Sequence, residues 1–98
     1  MARNIPKKDS QKRHFKKRVK ERFDCELNRF DIRNIIQQIR EEPYTFRGSI
    51  SIRLSCHLVR LPDNQLAYVL YDRIRKVPVT ALTEAMWNNT VEKGEVDE

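Results

Sequence analysis

Ser49-Ile50-Ser51-Ile52-Arg53-Leu54-Ser55-Cys56-His57-Leu58 is the stretch whose pattern decides the fold. Ile50, Ile52, Leu54, Cys56 and Leu58 alternate with Ser49, Ser51, Arg53, Ser55 and His57, the period of two of a strand with one buried face. The spacing predicts a half-buried strand, buried on its Ile face and polar on its Ser/Arg/His face. Val59-Arg60-Leu61 shifts the phase by one, which predicts a bulge or a strand end before the turn Pro62-Asp63-Asn64. Leu66 to Asp72 reads as a second strand, apolar on both faces except for the hydroxyls of Tyr68 and Tyr71, and therefore central in its sheet. Val77 to Leu82 is a third strand, and Pro78, which has no N–H to donate, puts it at an edge or makes it irregular there.

Upstream of these strands the period changes to that of helices. Asp9 or Ser10 can cap a helix running to about Phe23, on which Phe15, Val19 and Phe23 recur every four residues as one narrow apolar stripe. Asn28 or Asp31 can start a second helix in which Ile32, Ile35, Ile36 and Ile39 face a core, and Pro43 ends it. Downstream, Thr83 caps one or two turns through Trp87. The order predicts an α+β domain, with two N-terminal helices packed on one face of a three- to four-stranded antiparallel sheet whose other face is polar. The expected organisation is a flexible basic tail over 1–8, a single α+β domain over 9–87 and an acidic disordered tail over 88–98.

The chain has 98 residues with a formal charge of +6 and a pI near 9.6, and the charge is unevenly placed. Residues 1–22 hold ten Lys and Arg against two acids, residues 23–90 nine against eight, and residues 91–98 one against four. So dense a basic segment attracts polyanions through counterion release, and RNA, DNA or anionic lipid are the candidate partners. The apolar runs are too short for a membrane span, and the basic start has no apolar stretch behind it to serve as a secretory signal. Cys25 and Cys56 lack the paired spacing of a zinc or redox site, so a reduced, cytoplasmic protein is expected. With Gly48 and Gly94 its only glycines, the chain has no P-loop or Rossmann phosphate loop.

Metal-independent RNA cleavage asks for a base at the 2′-hydroxyl, an acid at the leaving oxygen and cations at the phosphate. His14, Arg18, Glu21 and Arg22 share one helix face at i, i+4, i+7 and i+8. His14 or Glu21 is the candidate base, and His57 or a tyrosine the candidate acid. Arg18, Arg22, Arg53 and Arg60 are candidate clamps, and Lys12, Arg13, Lys16 and Lys17 would hold the RNA backbone. The acids show no clustering suited to two magnesium ions, so the expected chemistry uses no metal and no cofactor.

His14-Phe15-Lys16-Lys17-Arg18-Val19-Lys20-Glu21-Arg22, read as H-x-x-x-R-x-x-E-R on a first helix, resembles the opening of small domains related to the RelE-type toxins. These belong to the wider grouping of barnase, colicin-type tRNA nucleases and RelE. The likeness covers about residues 14 to 82 and ends in Lys76-Val77-Pro78-Val79-Thr80-Ala81-Leu82, similar to that family's terminal strand with its threonine. The chain departs from the pattern at Phe23-Asp24-Cys25, where a glycine and an isoleucine are usual, and at Phe15, where a small residue is common. The resemblance implies an RNA-cleaving or RNA-binding fold of the toxin or phage type, and a metal-independent endoribonuclease is the activity it suggests. The alternatives are a non-catalytic nucleic-acid-binding regulator and an inhibitor whose basic helix engages an acidic protein partner such as an antitoxin.

Overall fold

The computed structural model describes residues 7–92. Its elements are α1 (Lys7–Phe23), α2 (Arg29–Glu41), a 3-10 turn at Pro43–Thr45, β1 (Phe46–Ser49), β2 (Leu54–Arg60), β3 (Leu66–Asp72), β4 (Val77–Leu82) and α3 (Glu84–Glu92). The strands form one antiparallel sheet in the order β1-β2-β3-β4. This is the expected α+β arrangement with four strands, and β3 is central.

Phe15 and Val19 are fully buried and Phe23 nearly so, which docks α1 along its i, i+4 stripe. On α2 the choice between two caps resolves into a capping box. The Asn28 side chain accepts the Asp31 N–H at 2.8 Å, and the Asp31 carboxylate accepts the Asn28 N–H at 2.9 Å. Ile32, Ile35 and Ile39 then point inward and join Phe15, Val19, Val59, Ala67, Val69 and Tyr71 in one core. Thr83 caps α3 through a bond from the Met86 N–H, and Trp87 stacks on Tyr68 at 5.7 Å between ring centroids.

The decisive strand differs from its expected form in two ways. The chain turns at residues 50–53, so the ten-residue alternation is split between β1 and β2, with Ser49 paired to Ser55 and Phe46 to His57. The Ser51 hydroxyl accepts the N–H groups of Arg53 and Leu54, closing the turn and leaving Ile52 91 % exposed. The buried parity is also inverted. Ser55, His57, Val59 and Leu61 face the helices, and their pairing with β3 runs without a bulge from Leu54 to Arg60. Val59-Arg60-Leu61 therefore continues the phase of Ser55 and His57 instead of shifting it. The opposite sheet face is not polar, since it carries Cys56, fully buried, and Tyr68 beneath Trp87.

Pro78 lies on β4, an edge of the sheet, where the register with β3 shifts between Leu70 and Tyr71, so both alternatives for this strand hold together. Of the expected basic tail, residues 1–6 lie outside the described residues and Lys7 and Lys8 are helical. Of the expected acidic tail, residues 93–98 lie outside and residues 88–92 continue α3, where the Thr90 hydroxyl donates to the Met86 carbonyl.

Asp72, fully buried at the end of β3, holds three segments together. Its carboxylate accepts the Gln11 amide of α1 at 3.1 Å, the Arg53 Nε at 2.9 Å, and the N–H groups of Ile74 and Arg75, both at 2.9 Å. Burial pushes its pKa upward, but the bonds from Arg75, Gln11, Arg53 and Ile74 outweigh that and hold it at about 2. Asp72→Ala is expected to lower unfolding stability by about 2–4 kcal/mol in urea titrations. Because the folded pKa lies below the ordinary 3.8, the stabilisation from ionised Asp72 is present above that value. It is lost as pH falls toward 2, and this loss should be missing from the acid unfolding of Asp72→Ala.

Candidate functional site

The helical layer carries most of the expected contact residues. On α1, Arg13, His14, Lys16 and Lys17 are exposed and Lys12 is half-buried. Lys12 lines a groove of about 250 Å3 with Arg29, Arg33, Ile32 and Ile36 of α2, so basic residues of the two helices meet there. Arg33 and Arg40 border the next groove along α2. Phe30, 62 % exposed, has the Arg29 and Arg33 guanidinium carbons 5.4 and 5.8 Å from its ring centroid. The result is an electropositive surface with an exposed aromatic ring set into it.

The charges toward the end of α1 are engaged within the protein. Arg18 and Glu21 form an ion pair at 2.8 Å, and Lys20 meets Asp24 at 3.2 Å and Glu26 at 3.4 Å. Arg22 donates to the Ala81 carbonyl at 2.7 Å and to the Thr80 hydroxyl at 3.3 Å, fastening α1 to β4. Arg53 is bonded to Asp72, while Arg60, exposed, ends β2 roughly 20 Å further along the strand, so these two cannot clamp one phosphate. Gln38 grips the Arg60 backbone, accepting its N–H and donating to its carbonyl, both at 2.9 Å.

His57 is not on a polar outer face. It is 8 % exposed beneath the end of α2, in a small pocket of about 210 Å3 whose lining includes Ile39, Arg40, Phe46, Tyr71 and Arg73. None of the lining residues belongs to α1, so His14, Arg18 and Glu21 do not converge with His57 there.

The hydrogen bonds around His57 settle its tautomer. The Thr45 hydroxyl donates to the Glu42 carbonyl at 2.9 Å, so its oxygen accepts from Nδ1–H of His57 at 3.2 Å. Nε2 is thus the unprotonated nitrogen, and the Ser55 hydroxyl donates to it at 2.8 Å. Burial first, and then the charge of Arg73, push the imidazole pKa down to about 4. In this state Nε2 holds no proton to pass to a leaving oxygen, and the acid role expected of His57 does not follow from the geometry. Thr45, Arg40 and Arg73 had no sequence signal linking them to His57, whereas the equal parity of Ser55 and His57 did put that pair on one face.

Among the described residues no group of His, Cys, Asp and Glu could hold a metal ion, and no helix is long and apolar enough to cross a membrane. Cys25 and Cys56 are buried free thiols, and burial pushes that of Cys56 up to about 12.

A neutral buried histidine makes stability depend on pH. Unfolding releases His57 to its ordinary value of 6.5, so the unfolded chain takes up a proton between 6.5 and about 4 that the folded chain does not. Its contribution is complete above pH 6.5 and declines as pH falls through this window, by about 3 kcal/mol at most. Chemical denaturation of the wild type and of His57→Gln across pH 4 to 7 is expected to show this extra decline in the wild type alone. No family model, no curated protein and no solved structure matches the chain.

Proposed function

We propose that the protein binds single-stranded RNA through the face formed by α1 and α2, as a nucleic-acid-binding member of the class its sequence resembles. The observation that carries this reading is the meeting of Lys12 with Arg29 and Arg33 beside an exposed Phe30. Lys16 lies one turn from Lys12 on α1, and Arg40 extends the row along α2. Cations supply affinity at the phosphates, and Phe30 offers a stacking surface that any base can use. The buried free thiols support a reducing, cytoplasmic setting for this activity.

The endoribonuclease reading draws on His14, exposed one turn before the Arg18–Glu21 ion pair on α1. It demands cleavage, which binding alone does not. In fluorescence anisotropy with a short labelled single-stranded RNA in EDTA, affinity is expected to fall with salt. The combined variant Lys12→Ala, Arg29→Ala, Arg33→Ala should flatten the slope of log Kd against log salt by about two. An unchanged slope would remove this face from the interface. RNA is expected to stay intact. Cleavage that drops about a hundredfold in His14→Ala, with folding unchanged, would instead establish the ribonuclease.

A further inference from the structure

A shallow depression open to solvent lies around His57, lined mostly by apolar groups with two arginines beside them. Its wall is a row of three rings: Phe46 meets His57 edge-on at 5.7 Å, and His57 meets Tyr71 edge-on at 6.0 Å. The outermost ring, Phe46, is 48 % exposed, so the row opens to solvent at β1 and closes toward Ser55 inside. At about 210 Å3 the space is below the roughly 300–1,000 Å3 of pockets for drug-sized ligands, which suits a single ring system.

Two cations stand at this wall. Arg40 comes from the last turn of α2, and Arg73 follows β3 with its guanidinium held by the Ser51 and Ile52 carbonyls and the Ser49 hydroxyl. That anchoring presets one charge at the pocket and lowers the ordering cost of using it. Arg40 also borders the groove that contains Arg33, so the pocket lies at the end of the basic row on α2.

We propose that this pocket takes one unpaired nucleobase of the bound RNA, with Phe46 and Tyr71 against the ring and Arg40 and Arg73 at the phosphates on either side. The inference rests on the RNA-binding reading and specifies where, beyond the helical face, a base is held. Extruded bases are recognised by aromatic walls with cations at their backbone, and the affinity from one stacked base is independent of the phosphate term. Neutral His57 suits this task, since a protonated ring beside the exposed Arg40 and Arg73 would put a buried like charge next to both.

The test compares two short single-stranded RNAs of equal length and charge, one intact and one with all its bases removed, by anisotropy against wild type, Phe46→Ala, Phe46→Trp and Phe30→Ala. The intact strand is expected to bind wild type at least about tenfold more tightly than the abasic strand. Phe46→Ala should shrink that ratio about tenfold without changing abasic binding, and Phe46→Trp should restore it. Phe30→Ala should remove only the separate share stacked on the helical face, leaving in place the share that Phe46→Ala removes. An intact-to-abasic ratio that survives Phe46→Ala, or one that Phe30→Ala alone abolishes, overturns the pocket and leaves phosphate binding standing. Absence of binding to both strands overturns the RNA-binding reading and the pocket together.

Discussion

A buried carboxylate is tolerable only when hydrogen-bond donors surround it, and meeting that demand at Asp72 organises one end of the molecule. Gln11 brings in α1, Arg53 brings in the start of β2, and the N–H groups of Ile74 and Arg75 shape the turn into β4. Arg53 can reach Asp72 because the chain bends at residues 50–53, where Leu54 begins β2 opposite Asp72. With both turns held, Arg73 crosses from one to the other and donates to the Ser51 and Ile52 carbonyls. The turns held by this one ion thus place the charge of Arg73, which adds to burial in depressing the His57 pKa.

The second constraint is the placement of polar side chains in the core. Ser55 and His57 share the helix-facing side of β2 with Val59 and Leu61, and burying them unbonded would cost several kcal/mol. The chain avoids this by linking Ser55, His57, Thr45 and the Glu42 carbonyl in one series of hydrogen bonds, each donor meeting one acceptor. The 3-10 turn after α2 serves this series, since it delivers the Thr45 hydroxyl to Nδ1. The same bonds fix the orientation of the imidazole between Phe46 and Tyr71, while burial, with the charge of Arg73, keeps it neutral.

Electrostatically the helical layer divides into engaged and available cations. Arg18, Lys20 and Arg22 answer acids or carbonyls toward the end of α1. Such surface pairs contribute little to stability, about 0–1 kcal/mol, yet they reduce the local field. Lys12 and the arginines of α2 lie instead where two basic helix faces approach, and this approach concentrates positive potential along a groove. Arg40 borders both the groove that contains Arg33 and the pocket at His57, so the two are continuous at this residue.

The sequence alone specified the two helices, their apolar stripes and the caps of α2 and α3, because each depends on neighbours within four positions along the chain, whereas α1 begins at Lys7, before the expected caps Asp9 and Ser10. The sequence determined the three strands after the bend as well, and the concentration of basic charge near the start. It did not determine which face of β2 would be buried. Both parities carry apolar groups, Leu54, Cys56 and Leu58 on one and Val59 and Leu61 on the other, so alternation alone leaves the choice open. The packing of α2 made that choice by matching Ile35 and Ile39 to the Val59 side, and Thr45, brought close by the turn, made His57 acceptable there. The separation of His14 from His57 and the meeting of Lys12 with Arg29 were likewise decided only in three dimensions, since both follow from how helices cross a sheet and not from any spacing along the chain.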